Sequence, residues 1–544
     1  MSSTDPLKTA LPWIFAITGG ILIFLGYAGF DQFYLEWIGL VPVLWAIRGQ
    51  SPGRAFRIGL LAGIIMHIGG FYWAIQMFQQ FAGMPWPLAA IGLLLLAAAN
   101  GIVLAAWAWG TRLVSRECGW NVVWVSPVIW TALEKLWPEI FPNYLGASQY
   151  KLSPLTQIAD ITGILGITFI VVYLNTTIFA VFELWFEKRR IATRQLLICA
   201  AILVAVLVYG QVRIRAVDRQ VAAADKLTIG LIQTNRGAGD KRLDPENLLR
   251  EHQEMSRELV ARQPLDMIVW PESVLNVRLS SREGKLPSEV LGDTHTPTMF
   301  GGILQIGSDS SRPHVSAILA DGTGGILGTY DKMVLVPFGE YIPFGEAFPA
   351  LYSLIPAPGR FQPGVSREPV AFGTYLLSVN LCYEDIFPVQ VRSLMQGGID
   401  RRIPHVLINL TNDSWYGKST EPMEHLALAS FRSIEHRRVL VRSTNTGISA
   451  FVDPVGRIVT RSGIWTKEAL VDRVAMLQGR TVYALLGDWL GWLCALLSLI
   501  GIGRALLVSQ RRGTPSLPAD ETAVPQRNRQ TESGKRLRRE KQHR

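Results

Sequence analysis

The sequence predicts two unlike halves: a polytopic α-helical membrane half, and a layered α/β domain held before the last membrane span. Three observations predict this. The 544-residue chain is 49% hydrophobic, with 17 Trp and only 18% charged residues, and its mean hydropathy is +0.23. Apolar runs approaching the roughly 20 residues that a bilayer requires recur up to Val212 and again near the C-terminus. Between them, residues 217–481 carry short apolar runs broken by turns, the pattern of alternating buried strands and amphipathic helices.

Eight spans are expected, near Ala10–Phe30, Phe33–Ile47, Ile58–Phe78, Trp86–Gly110, Val122–Trp137, Ile161–Trp185, Leu196–Val212 and Ala484–Val508; the second, fifth and seventh are short. Loop charge supports the alternation. Arg48, Arg54 and Arg57 follow span two, Arg112 and Arg116 follow span four, and Lys188, Arg189, Arg190 and Arg194 follow span six. Short loops rich in Lys and Arg stay cytoplasmic, so both termini are expected inside and residues 217–481 outside. The plan is then seven spans over 1–216, the external domain over 217–481, span eight over 482–510 and a basic, disordered cytoplasmic tail over 511–544. That tail holds ten Lys/Arg against four Asp/Glu, a large share of the net charge of +10. The basicity therefore points to membrane headgroups and topology, with no nucleic-acid partner expected.

Within the external domain, Lys226–Thr234 reads as a strand. Asp244 caps a helix to about Arg262, with Pro245 at the first turn and an apolar stripe of Leu248, Leu249, His252, Met255 and Leu259. Strands follow at Asp266–Trp270 and near Thr298–Leu304, Val315–Ala320, Tyr375–Leu381, His405–Asn409 and Ile448–Asp453. A second helix runs from about Glu421 to Arg438.

Cys382 is the sole cysteine of this domain; Cys118, Cys199 and Cys494 lie in a loop or in spans. A free thiol in an oxidising compartment is a liability unless it is used. It follows the apolar run Tyr375–Leu381 at an expected helix start, where backbone N–H groups and the helix dipole favour thiolate. Glu272 stands behind the apolar strand ending Val269-Trp270-Pro271, an uncomfortable place for charge and a suitable one for a proton acceptor. Lys332 precedes the apolar segment Met333–Val336, which holds its ammonium in place. Together they make a coherent set: a thiol nucleophile, a carboxylate that takes its proton and a cation for the oxyanion. The eight histidines show no metal-ligand spacing, His425 and His436 read as ordinary polar helix residues, and neither metal nor cofactor is expected.

These motifs, W-P-E-S at Glu272, Y-D-K at Lys332 and N-L-C-Y-E-D at Cys382, resemble the carbon–nitrogen hydrolase (nitrilase) superfamily. With V-P-F-G-E-Y-I-P at 336–343, T-N-D-S-W-Y-G at 411–417, R-S-T-N-T-G-I-S at 442–449, and Leu145–Gln149, Gln157–Asp160 and Asn175 in the spans, residues 10 to 510 resemble its membrane-integrated branch, the apolipoprotein N-acyltransferases. The resemblance implies a nitrilase-like αββα sandwich and catalytic Glu272, Lys332 and Cys382. It implies an acyl chain passed from a phospholipid donor, through a cysteine thioester, to the amine of a diacylglyceryl-cysteine on an apolipoprotein. It places the chain in the bacterial inner membrane, with the catalytic domain periplasmic, acting as a monomer. It further implies Glu340 as a second acidic residue, Tyr383 and Glu384 shaping the site, Trp415 on a loop over the substrate, and Tyr341 and Asn412 as substrate-binding neighbours. The stretch Gln233–Lys241 lacks the tryptophan that family members often carry there.

The run Ile342–Gly359, rich in Pro, Gly and apolar groups, favours a lipid substrate, because on a membrane surface it becomes an amphipathic arm over an acyl entrance. A core-packing loop is the plainer reading. Glu134 and Lys135 are expected to cap and snorkel. The triad leaves open a membrane-anchored amidase or nitrile hydrolase using water as second nucleophile. A non-catalytic scaffold is disfavoured by the intact Glu272, Lys332 and Cys382.

Overall fold

The computed structural model describes residues 6–187, 193–237, 244–279, 284–306, 312–354 and 359–513. The basic tail beyond 513, Lys188–Arg190 and parts of the 233–241 and 342–359 stretches lie outside the described residues.

The N-terminal half contains α1 (Pro6–Gly26), a 3-10 turn at Phe33–Trp37 with α2 (Leu40–Ile47), α3 (Pro52–Gly70) and α4 (Ala74–Ala82), α5 (Trp86–Cys118), α6 (Val122–Leu136), α7 (Ile164–Phe186) and α8 (Thr193–Ala223). Helices α3 and α5 pack backbone to backbone: a Cβ on Gly63 would meet the Gly101 carbonyl oxygen at 2.6 Å.

The count of eight spans is not reproduced. Among the described residues, five helices are long and apolar enough to cross a bilayer, α1, α5, α7, α8 and the C-terminal helix, or six if α3 and α4 form one span bent by 64°. The expected second span is a 3-10 turn and an eight-residue helix. The expected fifth is a 15-residue helix. Both runs are apolar, but apolar content does not set helix length, and neither helix reaches about 30 Å at 1.5 Å per residue.

In the C-terminal half, among the described residues, thirteen strands form two sheets flanked by α9 (Pro245–Arg262) and α10 (Glu421–His436), ahead of α11 (Trp489–Gly513). The strands are β1 (Lys226–Gln233), β2 (Met267–Val269), β3 (Leu275–Leu279), β4 (Thr298–Ile306), β5 (His314–Ala320), β6 (Ile326–Asp331), β7 (Val370–Phe372), β8 (Tyr375–Leu381), β9 (Val406–Thr411), β10 (Leu440–Thr444), β11 (Ala450–Val452), β12 (Ile458–Arg461) and β13 (Glu468–Ala475). One sheet runs β13-β1-β2-β4-β5-β6, with β3 beside β4; the other runs β12-β11-β10-β9-β8-β7.

Period-two patterning gives each sheet two apolar faces. Ile229 and Leu231 face Val379, Leu381, Ile408 and Val441 across the gap between sheets, whereas Ile232 packs outward with Met255 and Leu259 of α9. The outer face of the second sheet, through Leu407 and Leu440, packs on α10, and the same apolar cluster continues into α2, α3 and α7. The order is therefore helix, sheet, sheet, helix. The second helix layer is shared with the membrane half, so α10 is buried on nearly every face. Asp244 caps α9 as its sequence predicts, accepting the Asn247 N–H at 3.2 Å.

Candidate active site

Three strand ends converge. Beyond β2, Trp270 is anchored by its indole N–H to Ser256 Oγ at 2.9 Å, and Pro271 turns the chain to present Glu272. This turn lies hard against β4: a Cβ on Gly301 would stand 2.6 Å from Glu272 Cα, so only glycine fits. Beyond β6, Lys332 is pinned by its own N–H to the Val315 carbonyl at 2.8 Å. Its side chain is 1% exposed, and Nζ donates to Glu272 Oε1 at 3.2 Å and Glu340 Oε1 at 2.7 Å. Beyond β8 comes Cys382, at φ +52. A non-glycine residue in the left-handed region is strained by about 1–3 kcal/mol, and such strain clusters at functional turns.

Glu384 holds two of these ends together. It accepts the Leu381 N–H at 2.8 Å, the Met333 and Val334 N–H groups at 2.7 and 2.9 Å, and the Tyr330 hydroxyl at 2.9 Å. Every one of these donors belongs to the Cys382 or Lys332 segment. Glu384 is 0% exposed, so it clamps backbone and does not face open space. Tyr383 donates to the Leu335 carbonyl at 2.8 Å, and its ring lies 5.7 Å from Lys332 Nζ. Glu340 also accepts the Val336 N–H at 2.8 Å.

The remaining expected neighbours lie on the surrounding loops. Tyr341 is half-buried and closes the 337–341 loop, its carbonyl accepting the Phe338 N–H at 2.7 Å. Asn412 caps the turn Asp413–Tyr416. Trp415, on that turn, lies with its ring 4.1 Å from Phe81 of α4, and Tyr416 meets Trp73 edge-on at 5.2 Å. The site thus abuts the bent membrane helix. In the arm, Phe344 and Phe348 are 78% and 63% exposed, as the apolar-surface reading expects.

Electrostatics correct one expectation. The thiolate-favouring helix start is only a five-residue 3-10 turn, too short for much dipole. Burial pushes the Cys382 thiol well above its ordinary range; Glu272 adds to this, against the pull of Lys332. A cysteine held this high would need a base before it could act as a nucleophile. Burial alone would lower Lys332, but a Cys382 thiolate, when it forms, together with Glu272 and Glu340 outweighs it and holds the ammonium well above its ordinary range. Burial raises the Glu340 carboxyl in turn, against the pull of Lys332.

Behind the Cys382 turn lies a network that the sequence reading missed. His425 Nε2 is 2.7 Å from Asp385 Oδ1 and its Nδ1 is 3.2 Å from Asp413 Oδ1. The Arg442 guanidinium, 0% exposed, bonds Asp385 Oδ2 at 2.8 Å, Asp413 Oδ2 at 3.1 Å and Asn409 Oδ1 at 3.0 Å. Asn409 Nδ2 in turn donates to the Cys382 carbonyl at 2.9 Å. His425 is therefore a buried bridge and not an ordinary polar helix residue. The missed signal was Arg442 inside the apolar strand Leu440-Val441, where a charge must be paired. Among the described residues, Asp413, Glu421 and His425 form the group that could hold a metal ion. Arg442 already neutralises Asp413, and the second His425 nitrogen is taken by Asp385, so the group fits a charge-paired scaffold better than a metal. Glu134 and Lys135 do not snorkel: Glu134 accepts the Leu145 N–H, and Lys135 pairs with Asp488 at 2.6 Å.

Residues 228–481 match the carbon-nitrogen hydrolase family model, and residues 19–177 match that of the apolipoprotein N-acyltransferase N-terminal domain. The class is accordingly a carbon–nitrogen hydrolase sandwich built onto apolar helices, an acyltransferase arrangement within that superfamily. An apolipoprotein N-acyltransferase of Bradyrhizobium diazoefficiens is 30% identical, over 87% of this chain and 91% of its own length. One from Geobacter metallireducens is 28% identical, over 89% and 93%. This chain belongs to the apolipoprotein N-acyltransferase family. Among solved structures, Saccharomyces cerevisiae Nit3 matches 46% of the chain and 90% of its own length, at 16% identity and a TM-score of 0.35; the family assignment does not rest on it.

Proposed function

We propose that this protein moves an acyl chain from a membrane phospholipid to the N-terminal amine of a diacylglyceryl-cysteine apolipoprotein, through a thioester on Cys382. In the first step Glu272 takes the thiol proton as Cys382 Sγ attacks the ester carbonyl. The S–C bond forms, the ester C–O bond breaks, and Glu272 returns the proton to the leaving alkoxide, releasing lysophospholipid. In the second step the neutral amine attacks the thioester and gives a proton to Glu272. The N–C bond forms, the C–S bond breaks, and the proton goes back to the sulfur. Lys332, between Glu272 and Glu340, faces the oxyanion in both steps.

The observation that carries this reading is the Lys332 ammonium, fixed by two carboxylates beside a thiol that rests neutral. A neutral thiol makes a base obligatory, and of the two carboxylates on this cation we assign Glu272, because Glu340 is also tied down by the Val336 N–H at 2.8 Å. The contact of Trp415 with Phe81 supports a donor drawn from the bilayer, because the loop beside the site leans on a membrane helix. We assign the catalytic domain to the periplasmic side of the bacterial inner membrane, with both termini cytoplasmic and the chain acting as a monomer. The basic loops support this side: Arg48 pairs with Glu183 at 2.6 Å and Arg112 donates to the Gln50 carbonyl, so the loops after α2 and α5 and the end of α7 share one end of the bundle.

The deciding experiment is the intact mass of purified protein incubated with phospholipid alone, beside Cys382→Ala. An acyl-sized adduct on wild type only, removed by neutral hydroxylamine or by a lipopeptide amine, is the expected outcome. No adduct, with ammonia released from simple amides, would transfer the assignment to the membrane-anchored amidase.

A further inference from the structure

The two halves are joined by more than their covalent connections, and the strongest joint is α10. This helix runs 16 residues, about 24 Å at 1.5 Å per residue. Near its N-terminus, His425 bonds Asp385, three residues past Cys382 in the same turn. The same end meets the start of α4, where Glu424 accepts the Trp73 indole N–H at 3.4 Å and the Thr420 N–H donates to Tyr72 Oη at 3.1 Å, and the C-terminus is fastened to the membrane half at a second point. Glu435 Oε1 accepts the backbone N–H of Ile164, the first residue of α7, at 3.1 Å.

Arg437 comes next, at φ +53, in the helix-terminating position that favours glycine. The residue is nevertheless an arginine, and its whole guanidinium is used. It donates to Gln157 Oε1 at 2.6 Å, Asp160 Oδ2 at 2.7 Å and the Pro454 carbonyl at 3.0 Å, and is 5% exposed. Asp160 also accepts from Tyr209 Oη at 2.7 Å and Arg213 Nε at 2.9 Å, both on α8, the helix that leads into β1. Gln157 Nε2 donates to the Val455 carbonyl at 3.0 Å, closing the joint from the other side.

We propose that α10 is a rigid strut that sets the position of the Cys382 turn relative to the bilayer, with Arg437 as the positioning residue at its C-terminal end. The purpose follows from the chemistry. A lipid ester carbonyl is confined near the bilayer surface, and its reaction needs sulfur and carbon aligned within about 3–3.5 Å, where a shift of about 1 Å can cost 100-fold. A loop-tethered domain could not hold that distance; a helix bonded at both ends can. The inference rests on the proposed use of a bilayer substrate.

The test uses full-length protein in vesicles of phosphatidylethanolamine and phosphatidylglycerol, with two thiol reagents: water-soluble iodoacetamide and membrane-resident N-hexadecyl iodoacetamide. Arg437→Gly removes the guanidinium and relieves the backbone strain at that position, and a thermal unfolding transition measured beside wild type checks that the variant is folded. In this variant, alkylation of Cys382 by the hexadecyl reagent is expected to slow by about tenfold or more, and that by soluble iodoacetamide to stay within about twofold. Asp160→Asn, which weakens the same joint from the membrane side, should reproduce the split. Equal slowing with both reagents would make the joint a folding contact and overturn the proposal; so would no change with either. Alkylation needs no turnover, so wild-type protein that fails to transfer an acyl chain would sink the proposed function and leave this test standing.

Discussion

At the scale of single residues, the chemistry turns on a thiol that is hard to ionise beside an ammonium that is hard to neutralise. Because burial and Glu272 hold the Cys382 thiol up, its alkylation by iodoacetamide should keep climbing with pH across 7 to 9, about tenfold per unit. A plateau near neutrality would contradict the neutral resting thiol. Lys332 sits between carboxylates at 3.2 and 2.7 Å, a gap suited to a point charge. Lys332→Arg should lower the rate of acyl-enzyme formation by about 100-fold or more with the fold intact, since a planar guanidinium cannot take the same place. Near-wild-type acylation in that variant would remove Lys332 from the oxyanion role. The positions of Glu272, Lys332 and Cys382 were legible because each stands directly beyond a strand-like apolar run. Their partners were not: Arg442 meets Asp385 and Asp413 from 57 and 29 positions away, and no local pattern records such a pairing.

At the scale of elements, the local rules held where a segment's own residues decide its structure. Tyr375–Leu381 is a strand over the expected residues, and the helix after Asp244 begins at Pro245 and ends at Arg262. They missed β10, where Arg442 reads as a solvent-facing position until buried Asp385 and Asp413 account for it, and β13, whose Arg473 does face solvent and whose strand is set by pairing with β1. Helix α10 carries its own pH dependence. Burial and Arg442 act to lower His425, but Asp385 and Asp413 prevail and raise it to about 9 from an ordinary 6.5, with Glu421 also facing it. The sign follows: the folded state binds this proton more tightly than the unfolded state. The stabilisation is complete below about 6.5 and is lost as pH rises through about 9. Thermal unfolding should move to lower temperature between pH 7 and 9.5, by about 1 °C for each kcal/mol lost in a chain of this size, and His425→Gln should flatten that slope. An unchanged slope would mean that the imidazolium bridge does not form.

At the scale of the molecule, the apolar core is continuous from α2, α3 and α7 through α10 to the second sheet, so the halves should not separate as independent units. Sidedness is the open global property, and it can be read directly. In a background lacking Cys118 and Cys382, a membrane-impermeant maleimide on spheroplasts should label Arg367→Cys in the external domain, and Arg54→Cys only after lysis. The reverse pattern would invert the topology. By itself the sequence determined the division into an apolar helical half and an α/β half, the strand ends that carry Glu272, Lys332 and Cys382, and the family to which the chain belongs. These depend on hydropathy, periodicity and short motifs, all of which act over a few neighbouring residues. Only the tertiary structure decided how long each apolar helix runs, that burial holds the Cys382 thiol above its ordinary range, and that His425, Arg442 and Arg437 tie the Cys382 turn to the N-terminal half. Each of these depends on burial and on charges brought close by the chain's path, and both are set by packing between segments distant in sequence.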